Sequence, residues 1–144
     1  MLVAVDGSDN AARAAKVAVA LAKKFGAELI ICHVIPTPTF ASAQAGVLGA
    51  GGLLHDYFEA ARKEAKGIVD QVVKLAEADG VEATSVIRNN VFSVVESIVK
   101  LAEDRRVDLI VIGTRGLSGF RRLLMGSVSL GVISHAHCSV FLVR

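Results

Sequence analysis

Short apolar runs and longer segments with helical spacing alternate along this 144-residue chain. Runs rich in Val, Ile and Leu predict strands, whereas apolar residues at three- and four-residue intervals predict helices with one buried face. The predicted strands are residues 2–5, 29–34, 81–88, 109–112 and 139–143, and the predicted helices are residues 9–25, 56–79, 92–102 and 127–135. Because strands and helices alternate strictly, we expect an α/β fold with an open, mostly parallel five-stranded sheet and helices on both faces.

Residues with special backbone preferences mark the ends of the predicted helices. Ser8 and Ser93 are suited to cap the first and third helices, and Glu96 would complete a capping box with Ser93. Gly26 and Gly80 follow the first two helices, where a left-handed closing residue is common. The third strand alternates polar and apolar residues, so we expect it at an edge of the sheet.

Residues 35–54 carry no charged side chain and show no regular period. A structureless connection of that length is typical of a lid, a binding loop or a disordered segment, and we expect it to be mobile. Its prolines, threonines and glycines make it a poor membrane span, and the opening MLVAVD lacks the basic and long apolar segments of a signal peptide. We therefore expect a cytoplasmic protein that does not bind a membrane.

Composition and charge narrow the classes of function. Hydrophobic residues make up 53% and charged residues 21% of the chain, which argues against disorder and fits a single domain over residues 1–144. The net charge of +2 is too small to indicate a nucleic acid partner. No acidic residue follows Asp108, whereas four arginines do, namely Arg115, Arg121, Arg122 and Arg144. We expect a positive local field there, suited to a polyphosphate, although a solvated basic loop explains the same residues.

The sequence GTRGLSGFRRLLMGSVS, between the fourth predicted strand and the fourth predicted helix, carries the clearest chemistry. Gly113 and Gly116 begin it, and Gly126 and Ser127 follow after nine intervening residues. Glycine reaches positive backbone dihedrals and lets N–H groups approach a ligand closely, and a helix N-terminus attracts anions. The spacing therefore predicts a phosphate cradle made by the N–H groups near these four residues, with the hydroxyls of Ser127 and Ser129 as further donors.

This spacing, GxxG, nine residues and then Gly-Ser, resembles the motif of the nucleotide-binding branch of the universal stress protein (UspA-like) family. The opening LVAVDGSDNA, the pair His33 and Val34, and the closing SVFLVR resemble that family too, so the likeness extends over the whole chain. It implies a Rossmann-like fold, similar to that of adenine nucleotide alpha hydrolases, with strand order 3-2-1-4-5. In such sheets ligands bind where the winding direction reverses, here between strands 1 and 4.

The resemblance also implies a ligand and the residues that contact it. The ligand would be ATP, with Mg²⁺ shielding its phosphates, and the bound nucleotide would act as a switch or stabiliser in a stress response rather than as fuel. The residues expected to contact it are Ala4, Val5, Asp6, Val34, Ile112, Gly113, Arg115, Gly116, Gly126, Ser127, Val128 and Ser129. Of these, Ala4, Val5 and Val34 would shape the adenine side, because apolar walls suit a purine face. We expect no catalytic residue and no metal ligand from the protein.

The same resemblance implies a homodimer. The last strand, residues 139–143, would pair across a twofold axis and thereby cover an open sheet edge. Ser139 departs from the family, which commonly has proline at that position. A second copy of the chain and an adenine nucleotide are the expected partners, and a nucleic acid or a membrane is not expected.

Several candidate residues also have ordinary structural explanations. Asp6 ends the first strand, where its carboxylate would accept a hydrogen bond from a ribose hydroxyl or an adenine amino group, or meet a metal ion. An aspartate before a helix is also a common cap. Ser127 and Ser129 stand at a helix start, where serines often serve only as caps. Arg115, like the other loop arginines, occupies a position that the family leaves variable.

Other chemical motifs are not supported. No lysine completes a P-loop, and GTRGLSG does not match the dinucleotide pattern GxGxxG. Cys32 and Cys138 lack metal or redox spacing, so we expect reduced, buried thiols. His135 and His137 lie beside Cys138 without a fourth ligand, and we interpret them as histidines at a helix end. The sequence places no serine, histidine and carboxylate together for nucleophilic catalysis.

Two alternatives stay open at this point. A pure interaction module would keep the glycine loop as scaffold and use the uncharged residues 35–54 to dock a partner. A true enzyme on the same fold, such as a weak ATP hydrolase, is the other, but a fold alone does not indicate an activity.

Overall fold

The computed structural model describes residues 1–37, 51–117 and 125–144. Within these ranges strands and helices alternate as the apolar pattern predicts. The elements are β1 (Leu2–Ala4), α1 (Asp9–Phe25), β2 (Leu29–Pro36), α2 (Gly51–Ala78), β3 (Ala83–Val91), α3 (Val94–Asp104), β4 (Leu109–Gly113), α4 (Ser127–His135) and β5 (Ser139–Val143). No helix in the described ranges is both long and apolar enough to cross a membrane.

The five strands form one parallel sheet in the order β3-β2-β1-β4-β5. This confirms the predicted α/β fold and its strand order. At the centre, Val3 of β1 pairs with Ile31 of β2 on one side and with Val111 of β4 on the other. The third strand lies at an edge, as its half-polar pattern predicts, and β5 forms the opposite edge.

Each face of the sheet is covered by two helices. Val3, Ile31 and Val111 pack on one face with the buried side chains of α1 and α2. On the other face Leu2, Cys32, Ile110 and Ile112 pack with α3 and α4. Neighbouring residues in each strand therefore face opposite layers, and both layers are apolar, which is why the strand sequences read as almost continuous apolar runs.

The predicted caps of α1 and α3 and the closing glycine of α1 are confirmed. The Ser8 hydroxyl accepts a hydrogen bond from the Ala11 N–H (3.2 Å), and the Ser93 hydroxyl accepts one from the Glu96 N–H (3.2 Å). Gly26 closes α1 in the left-handed conformation, with φ of 59° and ψ of 37°. These caps fix where α1 and α3 begin. Because each helix follows a parallel strand, both N-termini lie at the carboxyl ends of the strands.

The predicted loop at residues 35–54 is too long at both ends. Ile35 is only 3% exposed and continues the buried side of β2, and Pro36 pairs with β3 after a register shift. At the other end α2 begins at Gly51, five residues before its predicted start. Burial of Ile35 and pairing of Pro36 with β3, which the local sequence does not reveal, extend β2. Residues 38–50, on which the rest of the expected mobile loop falls, lie outside the described residues.

Candidate functional site

A crevice opens at the carboxyl ends of β1 and β4. The two strands are neighbours and parallel, but the chain leaves β1 for α1 on one face and leaves β4 for α4 on the other. The helices diverge at this point and leave a hollow of about 390 Å³ between them. This is the switch point at which open α/β sheets bind ligands.

All twelve residues predicted for the site line this crevice: Ala4, Val5, Asp6, Val34, Ile112, Gly113, Arg115, Gly116, Gly126, Ser127, Val128 and Ser129. Six further residues line it that the sequence did not single out: Ala11, Cys32, Pro36, Val94, Ile98 and Leu117. Cys32 was within reach of prediction, because it lies two residues before Val34 and so shares its face of β2. Val94 and Ile98 lie one turn apart on α3 in a stripe that looks the same whether it covers a core or a pocket.

One side of the crevice is an apolar wall. Ala4 is flanked in register by Cys32 and Ile112, and all three are less than 9% exposed. Val94 and Ile98 approach from α3. The small side chain of Ala4 between two larger neighbours leaves depth in the wall. A flat, mostly apolar surface of this kind suits the face of an aromatic ring system.

The thiol of Cys32 adds no charge to this wall. Burial raises the pKa of Cys32 to about 12, with a smaller opposing effect of the Arg88 charge. Burial also raises the pKa of Cys138, and the charge of Asp108 acts in the same direction. Both cysteines are free thiols, and only Cys32 is fully buried. A thiol held in its neutral form is unreactive, so Cys32 is part of the wall rather than a nucleophile.

The carboxylate of Asp6 connects two segments at the mouth of the crevice. Its Oδ1 accepts hydrogen bonds from the Ser8 N–H (3.0 Å) and the Ser8 hydroxyl (2.6 Å). Its Oδ2 accepts a hydrogen bond from the Leu117 N–H (3.2 Å). Ser8, not Asp6, caps α1. Asp6 is therefore a bridge between the turn after β1 and the glycine segment after β4.

The structure explains the three glycines of the motif differently, and a positive φ is not the explanation for any of them. The described glycines with positive φ are Gly7, Gly26 and Gly80, so the expected left-handed geometry is wrong for Gly113, Gly116 and Gly126. A Cβ on Gly113 would lie 2.9 Å from a backbone carbon of Asn10 in α1, and one on Gly116 would collide with the carboxylate of Asp6.

Gly126 differs from the other two. A Cβ there would meet nothing closer than the Thr114 carbonyl oxygen at 3.5 Å, an ordinary contact, and φ is −77°. Neither packing within the described residues nor backbone strain requires a glycine at this position. Its missing side chain leaves the start of α4 without a side-chain cap.

The first residues of α4 are held by bonds within the protein. The Gly126 N–H donates to the Thr114 carbonyl oxygen (2.7 Å). The one proton of the buried Ser129 hydroxyl is shared between the carbonyl oxygens of Thr114 (3.1 Å) and Gly126 (2.9 Å). These contacts correct two expectations, since neither the Gly126 N–H nor the Ser129 hydroxyl proton is available to a ligand. Both groups instead hold the start of α4 against the end of β4.

The next N–H groups of α4 are the available donors. The first hydrogen bond within the helix runs from the Leu130 N–H to the Gly126 carbonyl oxygen (3.0 Å), and no side chain caps the helix. The N–H groups of Ser127, Val128 and Ser129 therefore have no acceptor within α4. All three residues line the crevice. Together with the positive end of the helix dipole, they form a site suited to an anion.

Charge at the crevice comes from one acidic and one basic side chain among the described residues of its lining, Asp6 and Arg115. Arg121 and Arg122, the other candidate cations of the loop, lie outside the described residues. Among the described side chains no group of three or more His, Cys, Asp or Glu is placed to hold a metal ion. His135 instead contacts the Gly131 carbonyl oxygen (2.8 Å) in the last turn of α4, as expected for a histidine at a helix end.

Comparisons with known proteins agree with this fold. The model of the Universal stress protein family matches residues 1–144. Universal stress protein MJ0531 of Methanocaldococcus jannaschii is 35% identical over 144 residues, which cover 100% of this chain and 81% of that protein. The solved structure of universal stress protein UspA from Lactobacillus plantarum is similar with a TM-score of 0.84 and 26% identity, over 99% of this chain and 95% of that one. A solved universal stress protein in complex with cAMP has a TM-score of 0.63 and 26% identity, over 100% of this chain and 97% of that one.

Proposed function

Since this chain belongs to the universal stress protein family, we propose that it binds ATP, together with Mg²⁺, in the crevice between β1 and β4. The observation that carries the proposal is the pairing of two complementary halves in one hollow of about 390 Å³. One half is an apolar wall, and the other is a helix start with unpaired N–H groups. An adenine nucleotide has the matching halves, a flat base and an anionic tail.

The base would lie against the apolar wall. The centre of this wall is formed by Ala4, Cys32 and Ile112 on three adjacent strands, and Val34 extends the wall toward the end of β2. The neutral thiol of Cys32 keeps this surface free of charge. The solved relative in complex with cAMP supports an adenine nucleotide as the ligand class.

The phosphates would lie at the start of α4. The N–H groups of Ser127, Val128 and Ser129 would donate to them, because these residues line the crevice and have no acceptor within α4. Gly126 has no side chain that would cap these donors. The exposed Arg115 adds positive charge on the loop side. The Asp6 carboxylate carries the same sign as a phosphate, so it directs the tail toward α4 and stands nearer to the ribose.

Mg²⁺ would be held by the phosphate oxygens rather than by a set of protein ligands. Asp6 is the one acidic side chain in the described lining, and both of its oxygens accept hydrogen bonds from the protein. Mg²⁺ commonly binds through one or two carboxylates together with substrate phosphates and water. The cation would shield the tail and add no further protein contact.

We assign binding rather than turnover, with the nucleotide acting as a switch or stabiliser in a stress response. Phosphoryl transfer to water needs a group that positions the water and one that stabilises the transferring phosphoryl. The oxygens of Asp6 are occupied by Ser8 and Leu117, and the remaining described lining is apolar, glycine, serine or Arg115. We expect hydrolysis to be slow at most. A cytoplasmic location stays a prediction.

We further propose that the protein forms a homodimer through β5. This strand is an edge of the sheet, and Phe141 at its middle is 46% exposed. An apolar edge strand offers unpaired N–H and C=O groups for pairing with another chain. A second copy across a twofold axis would cover both the edge and the aromatic ring.

The decisive experiment is calorimetric titration of the purified protein with ATP, with and without Mg²⁺, combined with mass analysis of any nucleotide carried through purification. We expect saturable heat for ATP, stronger with Mg²⁺, and weak or no heat for GTP. A protein that carries no nucleotide and gives no heat with any adenine nucleotide would refute the proposal. Phosphate release measured on the same samples tests whether turnover accompanies binding.

A further inference from the structure

The hydroxyl of Ser8 lies where three segments of the chain meet. It donates to Asp6 Oδ1 at 2.6 Å and accepts from the Ala11 N–H at 3.2 Å, and it lies 3.5 Å from the Arg115 carbonyl oxygen. The single hydroxyl proton goes to Asp6, which is by far the nearer acceptor. A distance of 2.6 Å is typical of the strong bond between a hydroxyl and a carboxylate. Ser8 itself is not among the residues that line the crevice.

The other oxygen of Asp6 holds the glycine segment. Oδ2 accepts from the Leu117 N–H at 3.2 Å across 111 residues of sequence. The Gly116 backbone packs so closely on Oδ2 that a side chain at this position would collide with it. A rotated carboxylate would therefore either lose the Leu117 bond or press on Gly116. The orientation of Asp6 sets the path of this backbone, and the two bonds from Ser8 set the orientation of Asp6.

We infer that Ser8 is a positioning residue of the nucleotide site: it fixes the Asp6 carboxylate and, through it, the Gly116–Leu117 backbone. The inference rests on the proposed function for its effect on ATP, whereas the contact itself exists without a ligand. Removal of the hydroxyl leaves Oδ1 with the Ser8 N–H alone. The carboxylate then turns. It no longer holds the Gly116–Leu117 backbone, and it no longer faces the ribose in a fixed orientation.

Ser8 also caps α1, so the test must separate the two roles. Ser8→Gly removes the hydroxyl, and glycine is nearly as good a cap as serine. Ser8→Thr keeps a hydroxyl for both roles. Ser93→Gly removes the matching cap of α3, whose hydroxyl lies at the same 3.2 Å from its N–H donor. The melting temperature of Ser93→Gly shows what cap loss alone costs.

ATP affinity is measured by calorimetry for the wild type, Ser8→Gly, Ser8→Thr, Asp6→Asn and the double variant of Ser8→Gly with Asp6→Asn. We expect Ser8→Gly to bind ATP about tenfold more weakly, the size of a lost hydrogen bond to a charged group, and Ser8→Thr to bind like the wild type. Because Ser8 acts through Asp6, Ser8→Gly should cause no further loss once Asp6 is replaced. Unchanged affinity in folded Ser8→Gly, or losses that add fully in the double variant, would overturn the inference.

The amide resonance of Leu117 in the nucleotide-free protein tests the contact independently of ATP. It should shift in Ser8→Gly and in Asp6→Asn and stay in place in Ser8→Thr and Ser93→Gly. If the wild type fails to bind ATP but this pattern is seen, the proposed function falls while the positioning contact stands. If the resonance does not move in Ser8→Gly, the inference falls, whatever the wild type binds.

Discussion

Gly126 and Thr114, twelve positions apart in sequence, are joined by a hydrogen bond of 2.7 Å from the N–H of the first to the carbonyl oxygen of the second. The bond holds the start of α4 against the end of β4. The Ser129 hydroxyl adds a second contact to the same Thr114 oxygen at 3.1 Å. The helix start that we assign to the phosphates is thus held in place before any ligand arrives, which lowers the ordering cost of binding.

Gly126→Ser tests whether the uncapped start of α4 binds a ligand. A Cβ meets nothing closer than 3.5 Å, and serine is a preferred N-cap residue, so the melting temperature should stay the same or rise slightly. ATP affinity should fall about tenfold or more, because a serine hydroxyl at this N-cap would accept a hydrogen bond from the N–H groups that we assign to the phosphates. Calorimetry and thermal melting of the same sample give both numbers. Undiminished ATP affinity in this variant would contradict the phosphate assignment.

Gly113→Ala provides the contrast, because packing against α1 requires a glycine at this position. The new Cβ would lie 2.9 Å from a backbone carbon of Asn10, and α1 would have to move away from β4. We expect a loss of about 1–3 kcal/mol in the free energy of unfolding, as for other overpacked sites. Urea denaturation measures it. A stability equal to that of the wild type would show that α1 yields easily at this contact.

The sequence located the crevice but not the part that each residue plays in it. The spacing of Gly113, Gly116 and Gly126 is a local pattern, and so is the alternation that predicts the sheet. The contact of Gly113 with Asn10 and the bond between Asp6 and Leu117 join segments about a hundred residues apart. No local propensity encodes such contacts. The apolar residues of α3 and the extension of β2 were missed for the same reason, since burial by distant elements decides both.

Ser129→Ala tests the second contact that holds α4. The Thr114 and Gly126 carbonyl oxygens each keep another donor, the Gly126 and Leu130 N–H groups, so no acceptor is left unpaired. We therefore expect a loss of about 1 kcal/mol in the free energy of unfolding, and a weaker affinity for ATP. Ser134→Ala is the control, because its exposed hydroxyl bonds within α4 to the Leu130 carbonyl oxygen. A loss in Ser129→Ala no larger than in the control would refute the structural role of this hydroxyl.

Cys32 makes stability depend on alkaline pH. Its pKa is raised from an ordinary 9.0 to about 12 by burial, so the folded state favours the neutral thiol. The stability that this neutral thiol contributes is fully present below the pKa of Cys32 in the unfolded state. It is lost as the pH rises toward the pKa of Cys32 in the folded state. Between pH 8 and 10.5 the unfolded thiol ionises and the folded one does not, which costs about 2 kcal/mol. Urea denaturation at pH 8 and 10.5 should show a smaller alkaline loss in Cys32→Ala than in the wild type, and equal losses would contradict the assignment.

Phe141→Lys tests the proposed dimer. Phe141 lies in the middle of β5 and is 46% exposed, so a second copy paired along this edge would bury its ring. A lysine at an edge strand disfavours pairing with another strand, because its charge would have to be desolvated. We expect the wild type to sediment as a dimer and Phe141→Lys as a folded monomer. Phe25→Lys is the matched control, since Phe25 is 71% exposed at the end of α1 and not part of β5, so this change should leave the dimer intact. A wild type that sediments as a monomer, or a Phe141→Lys variant that remains a dimer, would show that β5 is not the interface.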